Sequence, residues 1–133
     1  MLRLHVRAVL ALARARLLLR RVGTTATLRR LTGRSPNGSG VDPDAALHAI
    51  RRAARVVGGE CLPQAVALAA LLRGDGPELI LGCRRDQAEG WLAHAWVEQG
   101  DKVLNPAGPG GFVPLARLNR RTGWVPGPLD AKS

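Results

Sequence analysis

The chain has 133 residues, 46% of them hydrophobic, which is enough for one compact domain with a modest core. Its net charge of +10 is distributed unevenly along the chain. Residues 1–41 hold nine arginines and no acidic residue, whereas the remainder holds eleven basic and ten acidic residues. A nearly neutral domain with a basic N-terminal segment argues against a nucleic-acid reader, whose charge lines its folded surface.

The cysteines and the N-terminus bear on the compartment. Cys61 and Cys83 are too few for a disulfide framework, so we expect a reduced, cytoplasmic protein. Arg7, Arg14 and Arg16 interrupt the apolar N-terminal stretch, which is too short for a secretory core or a bilayer span. Because no CxxC, HxH or HxxxH ligand pair occurs, we expect neither a metal site nor another cofactor.

Residues 2–22 predict a helix rich in Leu, Ala and Arg, with no Gly or Pro. Arg3, Arg7, Arg14 and Arg21 fall within about 40° of one another around it, so its polar stripe is narrow. Three interpretations follow. The helix packs on its own domain with the arginines in water, it binds a partner protein, or it contacts an anionic membrane surface.

The rest of the chain changes from helical to alternating periodicity. Residues 33–43 are rich in Ser, Gly and Pro, and predict a loop that separates a basic helical segment, 1–40, from a catalytic domain, 41–133. Two further helices and three strands are predicted, over about 44–57, 61–73, 78–85, 91–99 and 102–105. Helices followed by antiparallel strands indicate an α+β fold. Beyond Pro106 the Gly- and Pro-rich tail predicts little regular structure.

Cys61 is the candidate nucleophile. It follows Gly58-Gly59-Glu60 and opens a predicted helix, where unpaired backbone donors and the helix dipole stabilise a thiolate. Cys83 lies on an alternating strand, a pattern typical of a small buried hydrophobic residue.

His94 is the candidate general base. It lies in Ala-His-Ala-Trp-Val-Glu, an otherwise apolar strand, where an imidazole needs a hydrogen-bond partner. It is either a satisfied core histidine or the group that accepts the Cys61 proton and later protonates the leaving amine.

Asn105 is the candidate third member. If Gly100-Asp101 is a two-residue turn, Gln99 faces Lys102, and Asn105 lies on the same sheet face as His94, diagonal to it. Its amide oxygen then accepts from the ring N–H. Asp101 is a poorer candidate, since it lies about 20 Å along the strand.

Three segments carry a family resemblance: Glu60–Leu68 (ECLPQAVAL), Leu81–Arg85 (LGCRR) and Ala93–Glu98 (AHAWVE). They resemble the leader peptidase of lasso peptide biosynthesis, the B2 protein, equivalent to the C-terminal half of the fused B protein of microcin J25 processing. That family belongs to the transglutaminase-like, papain-related superfamily. The resemblance covers roughly residues 45–115.

The resemblance implies a cysteine endopeptidase with N-terminal helices packed on a small antiparallel sheet. Such an enzyme removes the leader from a ribosomally synthesised precursor peptide before macrolactam formation. It implies three partners: the precursor leader, a small leader-binding B1 protein and an ATP-dependent macrolactam synthetase. The nucleophile is then Cys61 and the base His94, while Asn105 stands where the family usually has Asp.

Two other functions are compatible with the sequence. A transglutaminase-like acyltransferase resolves the thioester with an amine instead of water. A non-catalytic module docks a partner through the basic helix, and Cys61 is incidental. Nucleic-acid binding is disfavoured further, because three Trp and one Phe offer few stacking platforms.

Overall fold

A computed structural model describes residues 2–32, 40–58, 60–73, 76–104, 112–119 and 123–126. Helices come first and strands follow, which confirms the α+β class. The elements in chain order are α1 (Leu2–Thr32), α2 (Pro43–Val57), α3 (Cys61–Leu71), β1 (Glu78–Asp86), β2 (Gly90–Gln99), β3 (Lys102–Leu104), β4 (Val113–Asn119) and β5 (Gly123–Pro126). The predicted linker lies largely outside the described residues, at 33–39.

The strands form one antiparallel sheet in the order β3-β2-β1-β4-β5. The hairpin register is confirmed, with Gln99 opposite Lys102 and Val97 opposite Leu104. The prediction of an irregular tail was wrong, because β4 pairs directly with β1. Proline and glycine in this segment favoured the prediction of a loop. Pro114 nevertheless pairs with Gly82 at the point where the register shifts, and such irregularities tolerate a residue without an N–H.

Helix α1 packs against α2 and α3. Ala8, Leu12 and Ala15 are fully buried, whereas the four stripe arginines are exposed. This confirms the interpretation in which the helix packs on its own domain. It also runs further than predicted, since helical structure resumes after a non-helical Gly23 (φ 84°, ψ 176°), and Leu31 joins the core.

The hydrophobic core is shared by all three helices and by one face of the sheet. Residues from α1 belong to it, as do Ile50 of α2, Leu68 of α3 and Leu79 of β1. The division into a 1–40 segment and a 41–133 domain stays a prediction, and the packing of α1 shows that the two would share one core.

Candidate active site

Cys61 is the first residue of α3, as the sequence predicts. Helix α2 ends at Val57, and the φ of its C-cap Gly58, +86°, lies in the left-handed region that favours glycine. Glu60 then has extended backbone as the N-cap of α3, and its side chain makes no capping hydrogen bond. Cys61 is half-buried against the core at a helix N-terminus, where backbone N–H groups lack intrahelical acceptors.

Arg16 of α1 holds the segment that leads to Cys61. Its Nη1 donates to the carbonyl oxygen of Val57 at 2.7 Å, at the negative end of α2. A Cβ on Gly58 would lie 3.6 Å from the same nitrogen. Sequence reasoning missed this role. The available signal was its position, since Arg16 lies roughly 160° around α1 from the arginine stripe, on the packed side.

His94 lies in β2, directly opposite Gly82 of β1. Its imidazole centroid is 6.0 Å from that of Trp96, at an interplanar angle of 22°, and 5.2 Å from that of Phe112. Its Nε2 is buried and accepts or donates no hydrogen bond among the described residues. A buried ring nitrogen without a partner is unfavourable, so this atom requires a group that the described residues do not supply.

The two faces of the sheet differ sharply around His94. Residues opposite each other on paired strands share a face. Leu79, Leu81, Ala95 and Val97 form the core face, which packs with the helices. Gly82, His94 and Trp96 form the aromatic face with Ile80, and neither Ile80 nor Trp96 joins the helical core although both are buried.

The structure brings Cys61 and His94 into neighbouring elements, since α3 packs on β2. Within the described part of the chain, however, no hydrogen bond joins their side chains, and His94 lies on the aromatic face while Cys61 packs against the core. The pair therefore stays a prediction. Asn105 lies outside the described residues, and its role also stays a prediction.

A polar network on the aromatic face was not anticipated. The Trp96 Nε1–H donates to Glu98 Oε2 at 2.9 Å, and Arg117 Nη1 donates to Glu98 Oε1 at 3.2 Å. Arg117 also donates to Glu78 Oε1 at 3.1 Å. The sequence analysis missed this network because it predicted no strand at β4. Without that strand, neither Arg117 nor Phe112 could be assigned to the aromatic face.

Three further expectations concern Cys83, a metal site and a membrane-spanning helix. Cys83 is a free, half-buried cysteine opposite Ala93 in β1. Over the described residues, His, Cys, Asp and Glu side chains gather in no group of three or more that could hold a metal ion. None of the helices described combines the length and the hydrophobicity that crossing a bilayer requires.

A family model described as "Transglutaminase-like superfamily" matches residues 6–117, and the chain belongs to that superfamily. Its members include cysteine proteases and acyltransferases, and they are usually catalytic. Comparison with curated proteins and with solved structures gives no significant match. The matched region begins inside α1, in agreement with the packing of that helix on the core.

Proposed function

We propose that this protein is a cytoplasmic cysteine protease that removes the leader from a ribosomally synthesised lasso precursor peptide before macrolactam closure. The observation that carries the proposal is the position of Cys61 as the first residue of α3 in a transglutaminase-like chain. A half-buried thiol at a helix N-terminus is the environment in which cysteine acts as a nucleophile.

In the proposed reaction the Cys61 thiolate attacks the scissile carbonyl carbon and forms a tetrahedral oxyanion. The backbone N–H groups of Cys61 and Leu62 have no intrahelical acceptor, and Pro63 has no N–H, so the first two are the candidate oxyanion donors. Collapse of the intermediate expels the amine of the core peptide. Water then attacks the thioester and releases the leader as a carboxylic acid.

His94 is the proposed base, and the group that pairs with its buried Nε2 determines the tautomer. If the Asn105 amide oxygen accepts from Nε2–H, the lone pair that takes the thiol proton is on Nδ1. Nδ1 then protonates the departing amine. This division of roles supplies the buried nitrogen with the partner that it requires.

The partner proposed for α1 is the leader-binding B1 protein. Leu2, Val6, Leu10 and Leu17 are exposed and lie within about 80° of one another, forming an apolar ridge. The exposed arginine stripe runs beside this ridge. This apolar ridge flanked by positive charge fits a partner surface that has apolar residues flanked by acidic ones. A second proposed partner, an ATP-dependent macrolactam synthetase, then acts on the amine that cleavage frees.

The proposal is tested with the precursor peptide, the leader-binding protein and the full-length chain, followed by mass spectrometry. Wild type is expected to make one cut at the leader–core junction, and Cys61→Ala none. Cys83→Ala, which removes the other thiol, is the matched control and should cleave like wild type. Cleavage by Cys61→Ala would remove Cys61 from the mechanism. An amide formed with an added amine, instead of a free leader acid, would favour the acyltransferase alternative.

Pairing of Cys61 with His94 needs its own test, because catalytic hydrogen bonds are often poorly aligned before substrate binds. We expect His94→Ala to slow iodoacetamide labelling of Cys61 about tenfold or more near pH 6, since the imidazole no longer accepts the thiol proton. His48→Ala is the control, as His48 is exposed on α2. Equal labelling of both variants would contradict the pair.

A further inference from the structure

We propose that Glu98 is a positioning residue that fixes the imidazole of His94 through the indole of Trp96. The inference rests on the proposed role of His94 as a base and extends it to how the ring is held. It assigns a function to the last residue of the Ala-His-Ala-Trp-Val-Glu segment, which does not itself touch His94 in any described contact.

The first link is the hydrogen bond from Trp96 Nε1–H to Glu98 Oε2 at 2.9 Å. Trp96 is only 7% exposed, and a buried indole N–H needs an acceptor. A carboxylate is a stronger acceptor than a neutral group. Without this oxygen the indole N–H has no acceptor, and turning the ring toward another acceptor then lowers the free energy.

The second link holds Glu98 itself. Its other oxygen, Oε1, accepts from Arg117 Nη1 at 3.2 Å, so both carboxylate oxygens are engaged and the side chain cannot rotate freely. Arg117 belongs to β4, on the far side of β1 from β2. The network therefore ties the position of Trp96 to the sheet as a whole.

The third link confines the Trp96 ring against β1. A Cβ built on Gly82 would meet its Cη2 and Cζ3 at 2.6 and 2.8 Å, so the ring lies directly on the Gly82 backbone. The same ring stacks on His94, and Phe112 closes the cluster at 5.2 Å from His94 and 6.5 Å from Trp96. The Trp96 ring cannot move toward Gly82, so its hydrogen bond to Glu98 restricts the rotation that is left to it. Because the imidazole of His94 lies against this ring, the same hydrogen bond restricts the imidazole.

Glu78 provides a matched control. It accepts from the same Nη1 of Arg117, at 3.1 Å, and its side chain is also partly buried, with an exposure of 35% against 22% for Glu98. The Trp96 N–H goes to Glu98. Removing either carboxylate takes one partner from Arg117, and only the Glu98 variant releases Trp96.

The experiment compares Glu98→Ala, Glu98→Gln and Glu78→Ala in the full-length chain. The imidazole C–H signals of His94 are followed by NMR over a pH titration, with His5 and His48 as internal references. Iodoacetamide labelling of Cys61 is measured over the same range. We expect Glu98→Ala to move the His94 signals and to slow labelling about tenfold, because small displacements of a catalytic group have large rate effects. Glu98→Gln keeps an acceptor for the indole and should restore most of both.

The proposal is overturned if Glu78→Ala moves the His94 signals as much as Glu98→Ala does, or if neither moves them. Should Glu98→Ala fail to fold, Trp96→Phe keeps a ring and removes the N–H, and it must reproduce the His94 shift. The NMR readout is independent of proteolysis. A His94 shift without any change in Cys61 labelling would uphold the positioning of the ring and count against its role as the base of Cys61.

Discussion

The core face and the aromatic face of the sheet lie on the same strands, yet they are held together in different ways. The core face presents Leu79, Ala95 and Val97 to the helices, and its contacts are non-directional burial of aliphatic surface. On the aromatic face His94 stacks on Trp96, and charge-assisted hydrogen bonds join Trp96 to Glu98 and Glu98 to Arg117. One face therefore contributes burial of aliphatic side chains against the helices, while the other orients its aromatic rings, and orientation is what a general base requires.

A core-face truncation should have the largest effect on stability. Leu79 is fully buried in the central strand β1. Leu79→Ala is expected to lower the free energy of unfolding by about 2–5 kcal/mol, through lost burial and a residual cavity. Chemical denaturation measures this. Val103→Ala, at a position 50% exposed, is the control and should change stability much less. Equal losses in the two variants would show that the faces do not divide in this way.

A substitution on the aromatic face should have a smaller effect on stability and a larger one on Cys61 chemistry. Gly82→Ala places a methyl 2.6 Å from the Trp96 ring and 2.9 Å from the carbonyl oxygen of Val113. We expect a loss of about 1–3 kcal/mol from overpacking, with slower labelling of Cys61 as the ring moves against His94.

A double-mutant cycle isolates the Trp96 contribution to that effect. In a Trp96→Leu background the added methyl meets a smaller side chain, so the cost of Gly82→Ala should fall. An unchanged cost would place the strain at the Val113 carbonyl instead, and would separate Gly82 from the support of His94.

The smallest effect is expected at the edge of the sheet, where neither face is involved. Lys102 Nζ lies 2.7 Å from Asp44 Oδ2, joining β3 to the first turn of α2 in an exposed ion pair. The hydrogen bond to Asp44 raises the pKa of Lys102 above its ordinary value of 10.5. A raised pKa in the folded state means that the stabilisation is complete below the unfolded value and is lost as the pH rises through the folded one.

Lys102→Ala should therefore lower the Tm only slightly near pH 7, because solvent screens the pair. Its difference from wild type should shrink at strongly alkaline pH, as the pH rises above 10.5 and through the raised folded-state pKa of Lys102, because the lysine then loses its charge in the folded as well as the unfolded chain. Thermal melts at the two pH values check this. A difference that grows with pH would assign another role to Lys102.

Much of the fold followed from local signals. The start of α3 at Cys61 was predictable because glycines end one helix and Pro63 is tolerated only in the first turn of the next. The β2–β3 register followed from a two-residue turn. The strand β4 was not predictable in the same way, since Pro114 and the neighbouring glycines mask its alternation, and its pairing with β1 shifts register between Leu81 and Gly82.

For the candidate site, the sequence by itself supplied the candidate residues and determined which strand residues share a face, because alternation is a property of the local backbone. His94, Trp96 and Glu98 are an example. Only the tertiary structure decided which face packs against the helices, that Arg16 reaches Val57, and that Arg117 joins Glu98. Those contacts join residues far apart in the chain, and nothing in the local pattern of one segment specifies the partner that packing will bring to it.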